Sequence, residues 1–196
     1  VLVIGGGDTG SDCVGTSIRQ GASSVTQIEI MPKPPEQISE STPWPMWPYL
    51  LRTSSSHKEG CERLWNIMTK SFEGEKGKLK QARAVKVEWE SDSLGRPTKM
   101  KEIPNSEFII KAGAVFISMG FTGVINDAII SESQIKLTDR DCIAVDSNMM
   151  TSAKGVFAAG DAVSGASLVV RAIASGKIMA EAVHKFISGK NKREED

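Results

Sequence analysis

The hydrophobic and polar positions at the start of the chain predict a strand–helix–strand unit. Val1–Gly5 is an apolar run closed by glycines, which is typical of a buried parallel strand. Asp8–Gln20 follows with Val14 and Ile18 one helical turn apart, as an amphipathic helix requires. Val25–Met31 is the next predicted strand. This order predicts a right-handed βαβ unit with parallel strands.

A segment rich in proline and tryptophan comes next. Pro32–Pro48 contains six of the eight prolines together with Trp44 and Trp47, so neither a regular helix nor a central strand fits it. We expect an ordered loop here, because large aromatic side chains are rarely left in water. Cys61–Phe72 then carries apolar residues at helical spacing, which predicts a helix.

Alternating apolar and charged residues predict a series of strands after residue 84. In Ala84–Trp89 the apolar residues share one face and the charged residues share the other, as in a half-exposed strand. Three exposed strands in series predict a β-meander in place of a second helical crossover. The predicted strands are Ala84–Trp89, Thr98–Ile103, Glu107–Lys111 and the buried Ala114–Met119, with surface turns at Glu73–Gln81 and Ser91–Pro97.

The last third of the chain has weaker patterns. Short strands are predicted at Cys142–Val145 and Val156–Ala159, and Ser167–Ile187 is the longest helical pattern. The predicted buried stripe of that helix consists of Leu168, Ala172, Met179, Val183 and Ile187.

Length and charge narrow the possible classes of function. The 196 residues suffice for one domain, or for one domain and part of another. The 24 basic residues balance 24 acidic ones, which argues against binding to nucleic acid or to an anionic membrane. No apolar run approaches the roughly 18–20 residues that span a bilayer, and no signal peptide is present, so we expect a cytoplasmic location. Because a core strand begins at Val1, we also expect further residues upstream.

The cysteines and histidines offer no site of their own. Cys13, Cys61 and Cys142 are far apart and form no CxxC pair, so we expect reduced thiols rather than a zinc or iron–sulfur site. His57 lies in a polar stretch that we expect to be exposed, and His184 lies in the last predicted helix. Neither histidine is assigned a catalytic role.

A glycine motif between the first predicted strand and helix indicates a dinucleotide site. Gly5, Gly7 and Gly10 satisfy GxGxxG in this position. In such a turn the first glycine permits the bend, the second leaves space for a pyrophosphate, and the third allows close helix packing. Asp8 and Thr9 stand in the first helical turn, where free N–H groups and the helix dipole favour phosphates.

Two residues near the second strand bear on the choice of nucleotide. Glu29 stands nineteen residues after Gly10, near the position where an acid binds the adenosine ribose and disfavours a 2′-phosphate. The predicted strand continues for two residues, so Glu29 has the alternative of facing elsewhere. Lys33 follows the strand and is the alternative partner for a 2′-phosphate.

A second motif lies at residues 155–161. Its short apolar strand ends at Gly160 and delivers Asp161 at the carboxyl end, where open α/β sheets bind ligands. An aspartate there can bind a ribityl hydroxyl, and the following helix, with Leu168 and Val169 at its start, can direct its N-terminus at the flavin. A simple loop or N-cap role for Asp161 is the alternative.

These motifs together resemble the small-subunit family of glutamate synthase, a branch of the pyridine-nucleotide–disulfide-oxidoreductase-like flavoenzymes. The resemblance extends over nearly the whole chain, and the proline–tryptophan segment is its most specific part. The residues that carry it are Gly5–Gly10 with Asp12-Cys13, Gly15–Arg19, Pro32–Pro35, Pro43–Pro48, Ala158–Asp161 and Ser167–Val170.

The resemblance implies an NADPH-binding domain inserted into an FAD-binding domain. Residues 1–120 are then a Rossmann-like, three-layer α/β domain for NADPH or NADH, with a β-meander and with the insertion and helix at 32–72. Residues 121–196 are the C-terminal segment of the FAD-binding domain. The candidate cofactor contacts are Gly5, Gly7, Asp8, Thr9, Gly10, Lys33, Gly120, Gly160, Asp161, Ser167, Leu168 and Val169, with no catalytic side chain and no metal ligand.

The resemblance also implies an electron-input role in glutamate synthase. Hydride passes from NAD(P)H to FAD, and electrons leave through iron–sulfur clusters to a large subunit that forms glutamate. The cluster cysteines and the FAD glycine motif are expected upstream of Val1, so this chain alone is expected to be inactive. A second copy of the chain is the other partner considered. The alternatives are a related flavin and iron–sulfur oxidoreductase with another acceptor, and a nucleotide-binding fragment without turnover.

Overall fold

The chain folds into two compact units, Val1–Met119 and Gly120–Asp196, which are described separately. The computed structural model describes residues 1–37, 50–93, 95 and 97–191, so residues 38–48 of the predicted loop Pro32–Pro48 lie outside the described residues. The elements of the first unit are β1 (Leu2–Ile4), α1 (Asp8–Arg19), β2 (Thr26–Glu29), α2 (Ser55–Lys58), β3 (Glu62–Trp65), β4 (Ile67–Glu75), β5 (Lys78–Ser91), β6 (Pro97–Glu102), β7 (Phe108–Lys111) and β8 (Val115–Ile117). Those of the second unit are α3 (Ala128–Glu132), α4 (Asp161–Ser164) and α5 (Val169–Asn191).

A parallel sheet of four strands forms the centre of the first unit. Its strand order is β3-β2-β1-β8, and Leu2 stands opposite both Thr26 on β2 and Val115 on β8. All three residues of β1 are buried, because the strand has neighbours on both sides and packing on both faces. The predicted βαβ unit is confirmed, with α1 connecting the parallel strands β1 and β2.

An antiparallel sheet follows in the chain. β4 and β5 form a hairpin whose turn contains Lys76 and Gly77, both with positive φ, as tight hairpin turns require. The first half of β5 pairs with β4 and β7, and its second half pairs with β6. The predicted series of exposed strands is therefore present, and β5 is its central member.

The two sheets and α1 make three layers. Leu2 and Ile4 point from one face of β1 into a core that they share with Ile110 of the antiparallel sheet. Val3 points from the other face and packs against Val14 of α1. Because successive side chains of a strand point to opposite faces, β1 contributes to both cores. This confirms the Rossmann-like, three-layer α/β class.

The prediction of a helix over 61–72 is wrong. Glu62–Trp65 is a strand, paired in parallel with β2, and β4 begins at Ile67. Asn66 between them has φ of 58°, which ends one strand and redirects the chain into the next. Leu64 packs against the core between the sheets, so pairing with a neighbouring strand outweighs a short helical pattern.

The surface turn predicted at Glu73–Gln81 is also wrong in its extent, since β4 and β5 continue to a tight turn at Lys76 and Gly77. The strand predicted as buried at Ala114–Met119 is shorter, and Ile117 is 64% exposed. Among the strands of the described residues, this one lies at the edge of the parallel sheet.

The second unit contains fewer regular elements than the patterns predict. Cys142–Val145 and Val156–Ala159 are not strands, because their pairing is limited to isolated bridges such as Met150 with Phe157. A single bridge does not build a ladder. The Phe157 ring instead packs edge-on against Phe186 of α5, with ring centroids 5.5 Å apart.

The long predicted helix is present as α5, but its predicted buried stripe is wrong at both ends. Ala172, Met179 and Val183 are half-buried, whereas Leu168 is 64% and Ile187 is 54% exposed. The contact with Phe157 shows the reason, because it places Phe186 rather than the next residue on the packed face.

Replacement of neighbouring isoleucines on β7 tests the layered core. Ile110 is 8% exposed and packs between the sheets, while Ile109 points to the opposite face and is 41% exposed. We expect Ile110→Ala to lower the free energy of unfolding by about 2–5 kcal/mol, and Ile109→Ala by less than about 1 kcal/mol. Urea unfolding measures both. An equal loss for the two variants contradicts the packing of β7 described above.

Candidate functional site

The loop from β1 into α1 is held close to its surroundings at two glycines. Gly5 has φ of +120°, and a Cβ at this position would lie 2.2 Å from the Ser118 carbonyl oxygen. A Cβ at Gly10 would lie 2.2 Å from the Gly5 carbonyl oxygen. Real side chains do not tolerate such distances, so these glycines allow α1 to start directly against the end of β1.

Gly7 stands in a different environment within the same loop. It is the N-cap residue of α1, with φ of −80° and ψ of −172°, and a Cβ there would meet nothing within 4 Å. Gly7, Asp8 and Thr9 are all exposed. The first turn of this twelve-residue helix therefore faces open space, where its N–H groups and dipole favour an anion.

Glu29 faces the glycine loop and does not point elsewhere, which was the alternative for its direction that the sequence left open. Its Oε2 accepts a hydrogen bond from the Gly6 N–H at 2.6 Å, and its Oε1 accepts one from the Met31 N–H at 3.1 Å. The carboxylate at the end of β2 is thus fixed beside the glycine turn. Lys33 forms an ion pair with Glu36 at 2.8 Å, and this contact lowers the pKa of the Glu36 carboxyl.

A cavity of about 480 Å³ extends from the glycine loop past the end of β2. Gly6, Gly7 and Glu29 line one part of it. Its apolar lining consists of Met31, Pro32, Pro34, Leu50, Leu51 and Trp65. The volume falls in the range of small-molecule sites, which combine an apolar lining with a few polar groups.

Cations lie against the aromatic side of this cavity. The Arg63 guanidinium carbon is 5.0 Å from the centre of the Trp65 ring, and the Lys33 ammonium is 5.6 Å from it. Arg63 also donates a hydrogen bond to the Arg52 carbonyl oxygen at 3.2 Å. Burial lowers the pKa of Arg63. The cavity is thus lined by the Glu29 carboxylate and by the guanidinium side chains Arg52 and Arg63.

Behind the loop lies a buried chain of polar side chains that the sequence analysis missed. Gln27 is 2% exposed, and its Nε2 donates to the Gly5 carbonyl oxygen at 2.8 Å. Its Oε1 is 2.8 Å from His57 Nε2. The Ser54 N–H donates to His57 Nδ1 at 3.2 Å, and Ser54 Oγ contacts Ser11 Oγ of α1.

The expectation that His57 is exposed is wrong, since it is 9% exposed. Ser54 is the N-cap of α2 and forms a capping box with His57, which turns the ring inward. The close packing of α2 on α1 contributes, because a Cβ at Gly15 would lie 2.7 Å from Ser56 Oγ. A polar Gln27 in a buried strand, and serine three residues before histidine, are the signals that point to this contact.

The partners of His57 place a hydrogen on Nε2 and favour the neutral ring. A carbonyl only accepts, so Gln27 directs its amide N–H₂ at Gly5 and its Oε1 at His57 Nε2. Nε2 therefore carries the hydrogen, and Nδ1 accepts from the Ser54 N–H. Burial and the Arg63 charge both lower the pKa of His57, which favours this neutral form.

The predicted residues of the second unit form a separate group. Gly160 has φ of +67°, and its N–H donates to Ser175 Oγ of α5 at 3.0 Å. Asp161 begins α4, and its Oδ1 accepts from the Ser167 N–H at 3.3 Å. The exposed Leu168 directly precedes α5, which begins at Val169, and Gly120 is the first residue of this unit.

The described part of the chain offers neither a metal-binding cluster nor a membrane-spanning helix. Over the described ranges, residues 1–37, 50–93, 95 and 97–191, no three histidine, cysteine or acidic side chains cluster as metal ligands do. Within the same ranges no helix is both long and apolar enough to cross a bilayer. Cys13, Cys61 and Cys142 are free thiols, and burial raises the pKa of Cys61.

Comparison with proteins of known sequence finds relatives that are named as glutamate synthases. It is 41% identical to "Glutamate synthase [NADPH] small chain" of Mycobacterium tuberculosis (strain H37Rv) over 189 residues, 96% of this chain and 38% of that protein. It is 41% identical to "Glutamate synthase [NADH]" of Saccharomyces cerevisiae over 198 residues, 95% of this chain and 9% of that protein. The chain thus spans well under half of these relatives.

Solved structures of two thioredoxin reductases match the fold of this chain. Thioredoxin reductase of T. acidophilum matches with a TM-score of 0.59 and 24% identity, over 94% of this chain and 51% of that one. Thioredoxin reductase of Lactococcus lactis matches with a TM-score of 0.59 and 19% identity, over 96% and 52%. The sequence profile described as "Pyridine nucleotide-disulphide oxidoreductase" matches residues 1–176. This protein therefore belongs to the pyridine nucleotide-disulphide oxidoreductase family.

Proposed function

We propose that this chain binds NAD(P)H at the glycine loop and acts as the electron-input part of a glutamate synthase. One observation carries the proposal: a single cavity joins the open N-terminus of α1 to the Glu29 carboxylate at the end of β2. The phosphate-binding and ribose-binding positions of a Rossmann unit occupy these two places. The similarity to glutamate synthases named for NADPH and for NADH supports this donor class.

The pyrophosphate is assigned to the space over Gly7. Nothing lies within 4 Å of a Cβ position there, so a phosphate can approach the backbone closely. The N–H groups of the first turn of α1, which contains Asp8, Thr9 and Gly10, are the hydrogen-bond donors available to it. Asp8 is exposed, which allows its carboxylate to remain in water while the backbone binds the anion.

The adenosine half of the nucleotide is assigned to the cavity between Glu29 and Trp65. Each Glu29 oxygen accepts one backbone N–H and has a further lone pair for a ribose hydroxyl. The Trp65 ring and the prolines of the lining suit the adenine ring. Lys33 and Arg63 are the cations near this end, and they favour a 2′-phosphate.

The chemistry of the reaction belongs to the cofactors: NAD(P)H supplies a hydride and FAD accepts it, without a protein nucleophile or acid–base group. The residues of this chain bind and orient. In the second unit, Asp161 is held by the Ser167 N–H, and Leu168 and Val169 are exposed at the start of α5. A carboxylate beside a helix N-terminus fits a ribityl hydroxyl and the electron-rich edge of a flavin. Gly120 and Gly160 complete the proposed contacts.

The remaining steps of the proposal rest on the family resemblance. Electrons would pass through iron–sulfur clusters held by other residues to a large subunit that forms glutamate. The named relatives include chains called the small chain of glutamate synthase, which supports a large partner of that kind.

A side chain at Gly7 is expected to block nucleotide binding without unfolding the protein. The extended backbone of this residue accepts valine, and the added methyl groups would occupy the space assigned to the pyrophosphate. We expect Gly7→Val to raise the Kd for NADH and NADPH at least about tenfold, a loss of about 1.4 kcal/mol. Fluorescence titration of the purified protein measures this.

Gly113→Val provides the matched control, because Gly113 is exposed and a Cβ there also meets nothing within 4 Å. Its affinity is expected to equal that of the parent. If Gly7→Val melts like the parent and binds both nucleotides equally well, the glycine loop does not bind the pyrophosphate.

Substitutions of Glu29 and Lys33, which lie near the place assigned to adenosine, are expected to shift the preference between NADPH and NADH in opposite directions. Removing the charge of Glu29 reduces repulsion of a 2′-phosphate, so Glu29→Gln should strengthen NADPH relative to NADH. Lys33→Glu should weaken NADPH more than NADH. Each ratio of Kd values is expected to change by about two- to fivefold, the size of one exposed charge interaction.

The parent is expected to prefer NADPH modestly. Lys58→Glu serves as the control for the lysine change, because Lys58 ends α2 and is exposed. A Lys33→Glu variant whose Kd values for NADPH and NADH rise by the same factor excludes Lys33 as the 2′-phosphate partner.

A further inference from the structure

The buried polar chain through His57 connects to the glycine loop at two points. Gln27 donates a hydrogen bond to the carbonyl oxygen of Gly5, where the loop begins. Ser54 contacts Ser11 of α1, beyond the end of the loop. His57 stands between these links and contacts both Gln27 and Ser54. We propose that His57 is a positioning residue that fixes the glycine loop in its nucleotide-binding conformation, an inference that rests on the proposed nucleotide site.

The hydrogen bond from Gln27 to Gly5 restrains rotation of the peptide that follows Gly5. Gly5 is in a positive-φ conformation, and its carbonyl oxygen lies against Gly10. Rotation of the Gly5–Gly6 peptide would move both this carbonyl and the Gly6 N–H, which is bonded to Glu29. The Gln27 N–H₂ holds the carbonyl, and His57 orients the Gln27 amide by donating to its oxygen. Without that donor, the buried Gln27 oxygen loses its hydrogen bond to His57, and only the Gly5 carbonyl still orients the amide.

The other end of this series of buried polar side chains lines the cavity that is proposed to hold the nucleotide. Ser11, Ser54 and His57 all line it beside Gly7. Ser54 Oγ accepts from the His57 N–H at 3.2 Å, and it contacts Ser11 Oγ on the first turns of α1. The hydroxyl groups at the helix N-terminus are therefore oriented through the same histidine that holds the strand side of the loop.

The arrangement favours the neutral form of His57. A proton on Nδ1 would face the Ser54 N–H, which is itself a donor, and would have to be accepted by Ser54 Oγ, 3.1 Å from Nδ1. The charged groups that line the same cavity are Asp8 on α1, Glu29 on β2, Arg52 and Arg63. Arg63 and burial both lower the pKa of His57.

The pH dependence of stability follows from that lowered pKa. Below the unfolded value of about 6.5, the unfolded chain binds a proton that the folded protein resists. The free energy of unfolding should therefore fall as the pH decreases from about 6.5 to the lower pKa of the folded state. A variant without the ring at position 57 should lose this component, which urea unfolding at several pH values measures against the parent.

Two amide substitutions at His57 differ in the contact to Gln27 while both keep an acceptor for the cap. In His57→Asn the side-chain oxygen falls near the position of Nδ1, so it keeps the acceptor for Ser54 but does not reach Gln27. In His57→Gln the amide nitrogen falls near the position of Nε2 and keeps the donor to Gln27, and glutamine three residues after a serine N-cap also supplies the capping-box acceptor. If His57 acts by positioning Gly5, His57→Asn should raise the Kd for NADH about five- to tenfold, the size of one net hydrogen bond. His57→Gln should keep the Kd within about twofold of the parent.

Gln27→Met tests the same link from its other end. It approximately preserves side-chain volume and removes the bond to Gly5, so it should weaken NADH binding by a similar factor to His57→Asn. The double variant, His57→Asn with Gln27→Met, should bind NADH no more weakly than the weaker-binding single variant, because both substitutions break the same link to Gly5.

The experiment titrates NADH into the purified parent and variants and measures their urea unfolding in parallel. Affinity that follows the Gln27 contact, and not the overall stability, supports the inference. Affinity that falls in proportion to stability in both His57 variants overturns it, as does an unchanged Kd in His57→Asn and Gln27→Met. Gly7→Val separates the two proposals: if that variant loses affinity while the His57 and Gln27 variants do not, the nucleotide site stands and this inference alone fails.

Discussion

The close approach of α1 to the end of β1 is the constraint on which the first unit depends. A Cβ at Gly10 would lie 2.2 Å from the Gly5 carbonyl oxygen, so only glycine lets the helix start there. This approach places the helix N-terminus beside the carboxyl end of β2, where Glu29 reaches the Gly6 N–H. The cavity and the phosphate and ribose positions proposed within it all depend on that one contact between backbones.

The same constraint explains why polar side chains lie inside an otherwise apolar layer. The Gly5 carbonyl needs a donor, and the buried Gln27 supplies it. Gln27 in turn needs a donor for its oxygen, which His57 supplies from α2. Burying these groups is tolerable because each has a partner, and a chain with all its members satisfied also favours one conformation of the loop.

Strong and long patterns predicted the fold well, and short ones did not. The glycine spacing and the apolar run before it identified β1 and α1, since a buried strand and an amphipathic helix each leave a clear pattern. The segment at 61–72 carried only a few apolar residues, which fit a helix or two strands equally. Pairing of Glu62–Trp65 with β2 decided the outcome, and that pairing depends on residues more than thirty positions away. The ends of the α5 stripe failed for a similar reason, because Phe157 selects the packed face.

The sequence by itself determined the order of strand, glycine loop, helix and strand, the family to which they belong, and the positions of the candidate phosphate contacts. These features are local, and a single motif with its flanking residues specifies them. Only the tertiary structure decided that Glu29 turns toward Gly6, that Lys33 pairs with Glu36, and that His57 is buried against Gln27. The Glu29 and His57 contacts join residues 23 and 30 positions apart, so the packing of separate elements, rather than any local pattern, determines which polar groups meet.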